Sequence, residues 1–323
     1  MAEWIALDRL LLEARPQRGV GLCDGEVVDH AGFRQRVLAW RGAFAAAEGR
    51  DWALYFDDAV AFAAALFGAR HAGKRVFLAA DNLPATLQAL QSQVSGFAGD
   101  VSADYRPLMA RDAALDDELQ ALDERACELC VFTSGSTGQP SAIGKRLDQL
   151  AREVEALQAA FGTQLDGVQV HGTVSHQHIY GLLFRVLWPL AAGRLIHPRR
   201  FFHEDLVAAL SGTDTVLVAT PAHLKRLPEQ LDWASLQGRL RAVFSSGGPL
   251  PEEAARRCGS GWAWPRPRSM AAARPAASPG AAGTPTCRRG SRCPACSGAS
   301  RRAAGGGLCT SGNPGLVAYP GPR

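Results

Sequence analysis

Short apolar runs alternate along residues 1–257 with segments in which apolar side chains recur every three or four positions. The short runs predict buried strands, and the wider spacing predicts helices with one apolar face. The predicted strands are Ala53 to Phe56, Arg75 to Ala79, Leu129 to Thr133, Val168 to Val174, Thr215 to Ala219 and Ala242 to Ser245. The predicted helices are Val60 to Arg70, Pro84 to Ser92 and Arg146 to Phe161. This alternation predicts an α/β fold.

The last 66 residues, 258–323, break this pattern. They are rich in Gly, Ala, Pro and Arg, and they carry nine Arg but no Lys, His, Asp or Glu, whereas residues 1–257 have a net charge of −5. Such a composition buries too little apolar surface to offset the entropy of ordering the backbone, which predicts a disordered tail. The tail is a basic nucleic-acid-binding arm, a flexible linker, or GC-rich DNA translated out of frame.

A codon argument supports the third alternative. Regrouping the possible codons of Trp262 to Ala281 in the shifted frame permits the string GVAPTEVYGSSETGGIAWR. Within YGSSETG only the first Gly is forced, by Met270 and Ala271, and the other letters are permitted. We hypothesise a frameshift near Cys258, which the coding DNA would reveal.

Bulk properties restrict the class of protein. With 323 residues, 47% hydrophobic and 20% charged, the chain has the composition of a globular protein with a sizeable core. The N-terminal stretch has Glu3, Asp8 and Glu13 inside its apolar run, unlike a signal peptide. Because no uncharged apolar stretch reaches the ~18 residues of a membrane span, we expect a cytoplasmic protein without a membrane partner.

A glycine-rich run, VFTSGSTGQPSAIGK from Val131 to Lys145, follows a predicted strand and precedes the longest predicted helix. Free amides and hydroxyls in such a loop suit one phosphate group, although a structural turn rich in Ser and Gly is an equal alternative on pattern alone. It is not a Walker loop, because five residues and not four lie between Gly138 and Gly144, and Arg146 follows Lys145 where a Walker loop has Ser or Thr.

FTSGSTGQP resembles the signature loop of the AMP-forming adenylating enzymes, which include acyl-CoA and aryl-CoA synthetases. The resemblance implies that the loop holds the pyrophosphate end of ATP through Thr133, Ser134, Gly135, Ser136, Thr137 and Gly138. Where the family commonly has Lys after the Pro, this chain has Ser141. Lys145 is the candidate replacement for that phosphate contact.

Two further segments resemble the same family, and the likeness covers Gly19 to Glu253. SHQHIYGLLFRVLWPLAAGR places His178 in the wall of the implied acyl-adenylate pocket, with Gly181 three residues later. VFSSGGPLP places Ser246, Gly247 and Gly248 beside the adenine and acyl groups. The first segment is most similar to synthetase-like members of aryl polyene and xanthomonadin-type pigment pathways.

The resemblance implies the large N-terminal domain of the adenylate-forming fold, incomplete, with mixed sheets flanked by helices. Residues 1–125 would form an N-terminal α/β subdomain and 126–257 the ATP- and acyl-binding subdomain. The implied activity is an AMP-forming acid–thiol ligase that uses ATP and Mg²⁺, with CoA or a carrier-protein phosphopantetheine as acceptor. The family's YGSSETG-like motif, ribose-binding Asp and catalytic Lys are not readable, so little or no turnover is expected.

Other interpretations remain. His178 alone, or His176, is more often a hydrogen-bonded structural histidine than a site residue. Cys127 with Cys130, and Cys293 with Cys296, form CxxC pairs, but their separation disfavours a compact zinc site, and we expect no metal site. The rival function is a nucleic-acid-binding protein with a basic disordered arm, whose binding would weaken steeply with salt.

Overall fold

Two β-sheets and the helices packed against them form the chain, of which the computed structural model describes residues 4–13, 15–110, 118–126, 128–134, 140–201, 205, 212–227, 239–246 and 317–320. The strands are β1 (Gly19–Cys23), β2 (Glu26–Asp29), β3 (Asp51–Tyr55), β4 (Arg75–Leu78), β5 (Gly96–Gly99), β6 (Glu128–Ser134), β7 (Pro140–Arg146), β8 (Gln169–Gly172), β9 (Thr215–Ala219), β10 (Leu240–Ser245) and β11 (Val317–Pro320). All six predicted strands are confirmed, with ends shifted by a few residues. The mixed α/β architecture is therefore confirmed as well.

The helices are α1 (His30–Ala46), α2 (Ala59–His71), α3 (Pro84–Gln91), α4 (Leu147–Phe161), α5 (Ile179–Gly181), α6 (Trp188–Ala192) and α7 (Pro221–Lys225). A π-helical segment, Leu182–Leu187, joins α5 to α6, and Leu7–Arg9 and Ala103–Tyr105 are 3-10 turns. The three predicted helices correspond to α2, α3 and α4. Within the described residues, no helix is both long enough and apolar enough to cross a bilayer.

The first sheet has the strand order β5-β3-β4-β6-β7. Its first four strands run parallel, and β7 pairs antiparallel with β6, from Glu128 opposite Arg146 to Ser134 opposite Pro140. The glycine-rich run, Val131 to Lys145, therefore includes parts of both strands of a hairpin. The helix predicted after it begins at Leu147, but β7 stands where a loop was expected before that helix. Strand β7 was missed because it lies at the edge of the sheet, where its exposed positions carry no apolar alternation.

The second sheet has the order β11-β10-β9-β8, with β8, β9 and β10 parallel. Strand β11, from the C-terminal tail, pairs antiparallel with β10. The rest of the expected disordered tail lies outside the described residues. The β1–β2 hairpin joins this sheet through Ile196, which bridges both Gly21 and Val170.

Helix α2 is the central core element and contacts β3 and β4 of the first sheet as well as the π-helical segment. Its sequence, AVAFAAALFGARH, is apolar on every face, which is typical of a fully enclosed helix. Asp58 caps its N-terminus by accepting hydrogen bonds from the amides of Val60 at 2.7 Å and Ala61 at 2.9 Å. Enclosure on all sides fixes α2 relative to both sheets.

Candidate functional site

The carboxyl ends of five parallel strands open into one cavity of about 920 Å³, which we call the inter-sheet cavity. Its lining includes a residue in or just after each strand, namely Asp81 after β4, Phe132 in β6, Val174 after β8, Thr220 after β9 and Ser246 after β10. Helix α3 forms a further wall. In open α/β sheets, ligands bind in crevices outside the carboxyl ends of the strands. The position of the cavity therefore makes it the candidate site.

The segment between β8 and α5 is fixed in place by hydrogen bonds to the first sheet. His176 Nε2 and Gln177 Nε2 each lie 2.9 Å from the carbonyl oxygen of Phe56. His176 is buried, and burial lowers the pKa of its imidazole to about 3, with the charge of Arg185 as a smaller cause. His176 is thus a structural histidine, and it anchors the segment that carries His178.

Gly181 allows this segment to turn back on itself. A Cβ at this position would overlap the carbonyl oxygen of Ser175. The three-residue spacing between His178 and Gly181 therefore has a steric cause, since the first turn of α5 lies directly against the preceding loop. His178, three residues before Gly181, is exposed and lines the inter-sheet cavity.

The electrostatic surroundings of His178 favour the neutral imidazole. Desolvation lowers its pKa, the guanidinium of Arg200 lowers it further, and the carboxylate of Asp81 opposes both. Above its ordinary pKa near 6.5 the ring is therefore neutral. A neutral ring can accept or donate one hydrogen bond without placing a charge in the cavity.

Arg185 also stabilises the segment between β8 and α5. It is 1% exposed, and it donates hydrogen bonds to the carbonyl oxygens of Val174 at 2.8 Å, His197 at 3.3 Å and Arg199 at 2.8 Å. Desolvation, and then the charge of Arg200, lower the pKa of its guanidinium to about 9. Arg185 lies in the π-helical segment, a local irregularity often found at functional sites.

Only part of the predicted phosphate loop belongs to the residues that the structure describes. Thr133 and Ser134 end β6, where their backbones pair with Ser141 and Pro140. The other predicted loop residues, Gly135, Ser136, Thr137 and Gly138, lie outside the described residues, as do Gly247 and Gly248. Phe132 and Ser246, which adjoin these two stretches, both line the inter-sheet cavity.

Lys145 lies at the other end of the hairpin from the glycine-rich turn. It is opposite Leu129, five positions beyond Pro140, which corresponds to about 17 Å along an extended strand. Its Nζ is 3.7 Å from Glu153 Oε1 on α4. This position does not favour the expected contact between Lys145 and phosphate.

Comparison with known proteins gives the family. The sequence profile of the AMP-binding enzyme family matches residues 60–263. The chain belongs to the AMP-binding enzyme family. No curated protein sequence matches it.

Solved AMP-binding enzymes share the fold. An acyl-CoA synthetase from Brucella canis is 18% identical, with a TM-score of 0.62 over 81% of this chain and 56% of its own. An o-succinylbenzoate CoA synthetase from Bacillus subtilis, solved with its acyl-adenylate intermediate, is 18% identical, with a TM-score of 0.62 over 78% of this chain and 56% of its own. A malonyl-CoA ligase solved with methylmalonyl-CoA and AMP is 22% identical, with a TM-score of 0.60 over 78% of this chain and 57% of its own. The chain thus spans a little over half the length of these proteins, and at these identities the likeness shows the fold.

Several cavity residues of this AMP-binding chain were missed by sequence reasoning. Asp81 lies in no predicted motif, Thr220 directly follows a predicted strand, and Tyr180 lies within SHQHIYGLLFRVLWPLAAGR without a predicted role. Each of the three lines the inter-sheet cavity. Asp81 and Thr220 follow predicted strands by one or two positions. The rule that ligands bind at the carboxyl ends of parallel strands would have found them.

Metal ligands do not gather in the part of the chain that is described, since no three His, Cys, Asp or Glu side chains there are grouped to hold an ion. Cys130 is a free, half-buried thiol whose pKa is raised by burial. Its CxxC partner Cys127 lies outside the described residues, as do Cys293 and Cys296. No magnesium or zinc ligand is therefore assigned.

Proposed function

We propose that this chain contains the nucleotide- and acyl-binding part of an AMP-forming acid–thiol ligase. The proposed reaction joins a carboxylic acid to ATP, giving an acyl-adenylate and pyrophosphate, and then transfers the acyl group to the thiol of CoA or of a carrier-protein phosphopantetheine. The observation that supports it most strongly is the inter-sheet cavity, where Phe132, His178 and Ser246, from the three segments that resemble the family, come together.

In the first proposed step a carboxylate oxygen attacks the α-phosphorus of ATP, and the bond from that phosphorus to the pyrophosphate oxygen breaks. Negative charge accumulates on the leaving pyrophosphate. We propose that the backbone amides of Gly135 to Gly138 and the hydroxyls of Thr133, Ser134, Ser136 and Thr137 donate hydrogen bonds to it. Fixed donors of this kind are worth about 3–4 kcal/mol each in other enzymes.

His178 would contribute a neutral wall at the reacting end of the cavity. In the second proposed step the thiol sulfur attacks the acyl carbon, and AMP leaves as the bond from that carbon to the phosphate oxygen breaks. Because the imidazole beside the acyl group is uncharged, it adds no further charge next to the negative adenylate. Mg²⁺ would supply electrostatic stabilisation of the phosphates when bound.

We expect this polypeptide to turn over slowly or not at all. The family motif similar to YGSSETG, the ribose-binding Asp and the catalytic Lys are not readable in residues 258–323. YGSSETG is, however, permitted in the shifted frame of that tail. Pyrophosphate exchange at a rate typical of complete ligases would contradict this expectation.

Nucleotide binding by the full-length chain tests the proposal. Calorimetry with ATP and with pyrophosphate is expected to show binding that Gly138→Val weakens at least tenfold, because its side chain would obstruct the loop amides. Gly144→Val is the matched control in the same hairpin, since a Cβ at Gly144 meets nothing within 4 Å. No binding of either ligand, or equal weakening by both variants, would refute the proposal.

The nine tail arginines are the specific feature that favours the nucleic-acid alternative. Replacing all nine with Gln in the full-length chain separates the two functions. The ligase proposal expects unchanged ATP affinity. The nucleic-acid alternative expects salt-dependent DNA or RNA binding in the parent chain that disappears in the variant.

A further inference from the structure

The charge of the inter-sheet cavity is unusual for a site that must receive an anionic substrate. Asp81 contributes the only formally charged side chain among the described residues that line it, and none of them is Lys or Arg. The two adjoining stretches, residues 135–139 and 247–250, also contain no Lys or Arg. Among the described residues that line the cavity, no cation can therefore neutralise a second negative charge on the body of a substrate.

Apolar and small side chains form most of the remaining lining. One wall is α3, whose Ala85, Ala89 and Leu90 face the cavity, and Ala80 extends it. The lining also contains Phe132, Val174, Ile179 and Tyr180. Small residues leave room for a bulky group, and apolar residues favour a group that gains by leaving water.

We propose, building on the ligase function above, that the inter-sheet cavity selects carboxylic acids whose body is apolar and uncharged, and that it rejects dicarboxylic acids. Asp81 is the specificity-determining residue of this selection. The reacting carboxylate is consumed when the adenylate forms, whereas a second carboxylate remains charged next to Asp81 throughout.

Two physical costs act against a second carboxylate. It would lose hydration without gaining a cationic partner, and a buried unpaired charge is strongly unfavourable. It would also be repelled by Asp81. The cation Arg200 lowers the pKa of His178 but is not among the residues that line the cavity.

The test compares non-hydrolysable acyl-adenylates, which need no turnover. The probes are 5′-O-(N-acylsulfamoyl)adenosines that carry an octanoyl, a benzoyl or a succinyl group, with AMP as the common reference, and binding to the full-length chain is measured by calorimetry. The octanoyl and benzoyl compounds are expected to bind at least tenfold more tightly than AMP. The succinyl compound is expected to bind no more tightly than AMP.

Two variants identify the residues responsible. Asp81→Asn keeps the oxygen that accepts a hydrogen bond from the Leu83 amide at 3.1 Å, so α3 should still begin at the same residue. This variant is expected to bind the succinyl compound at least threefold more tightly than the parent chain does. Asp104→Asn, at an exposed site outside the cavity, is the control. Ala89→Trp is expected to weaken the octanoyl compound at least tenfold without affecting AMP, whereas Gln88→Trp, one position along α3 and outside the lining, changes neither.

The outcomes separate the two proposals. If AMP and all three compounds fail to bind, the ligase function is refuted and the selectivity with it. If AMP binds and the succinyl compound binds as tightly as the octanoyl compound, the ligase function stands and the selectivity is overturned. Equal responses of Asp81→Asn and Asp104→Asn would overturn the role of Asp81.

Discussion

The two sheets end at the same cavity but carry different chemistry there. In the first sheet, aspartates follow three parallel strands, with Asp57 and Asp58 after β3, Asp81 after β4 and Asp100 after β5. In the second sheet, the strands are followed by hydroxyl residues, Thr173, Thr220 and Ser246, and by neutral histidines. We call the aspartates after the first sheet's strands the acidic half, and the neutral hydroxyl and imidazole side chains after the second sheet's strands the uncharged half.

The acidic half uses most of its carboxylates for local structure. Asp58 caps α2, Asp57 accepts a hydrogen bond from Tyr55 at 3.1 Å, and Asp100 accepts one from the Asp57 amide at 2.8 Å. Only Asp81 also lines the inter-sheet cavity. The uncharged half is held by Arg185, which binds three carbonyls and acts against the protonation of nearby imidazoles. Among the described residues that line the cavity, the one formally charged side chain thus belongs to the first sheet's half.

Replacing Arg185 should have the largest effect on the uncharged half. Arg185→Met leaves three buried carbonyls without their donor, at about 1–2 kcal/mol each, which outweighs the relief of no longer burying a cation. We expect the free energy of unfolding to fall by about 3 kcal/mol in urea titrations. Arg199→Met, at an exposed position, is the control and should change it by less than about 0.5 kcal/mol. Equal losses in the two variants would contradict the supporting role of Arg185.

A methyl group at Gly181 should have the next largest effect. Gly181→Ala forces the first turn of α5 away from the Ser175 carbonyl, which should cost about 1–3 kcal/mol of stability. It should also weaken ATP binding, because His178 moves with the loop. Gly42→Ala in α1 is the control, since a Cβ there meets nothing within 4 Å, and it should be neutral or stabilising by up to about 1 kcal/mol. An unchanged melting curve for Gly181→Ala would show that the loop does not need this close approach.

Acidification should destabilise the uncharged half through its buried imidazoles. Burial, followed by the charges of His197 and Arg185, lowers the pKa of His171 to about 2, and burial and Arg185 lower that of His197 to about 4. Below an unfolded pKa near 6.5 the unfolded chain binds more protons than the native chain, so stability falls as the pH falls towards 4.

Between about pH 6.5 and about pH 5, each such imidazole should lower the free energy of unfolding by roughly 1–2 kcal/mol. Thermal melts across this range should show the loss. His171→Phe should reduce the pH slope by the share of one imidazole, because both ring nitrogens of His171 lack hydrogen-bond partners and the substitution removes none. A slope identical to that of the parent would mean that His171 is already protonated in the folded state.

Sequence patterns predicted six of the seven parallel strands because buried parallel strands consist of continuous apolar runs, and they predicted α2 to α4 from the spacing of apolar residues. They did not predict β5 or α1. They missed β7 and the β1–β2 hairpin, whose stability comes from pairing with a neighbour and not from their own composition. For the site, His178 and Ser246 were found because they lie in motifs. Asp81 was missed because it lies in no motif, and only the rule that ligands bind at the carboxyl ends of parallel strands points to it.

Replacing Lys145 should have the smallest effect on stability and on ATP affinity. Its Nζ faces Glu153, whose carboxyl pKa is raised by burial and lowered less strongly by Lys145. A half-exposed pair of this kind contributes less than about 1 kcal/mol, so Lys145→Met should barely change stability. ATP affinity should change less than twofold in calorimetry, because the side chain lies at the far end of the hairpin from the glycine-rich turn. A tenfold loss would instead mean that the hairpin bends to bring Lys145 to the phosphates, which would add a cation to a cavity that otherwise has none among its described lining residues.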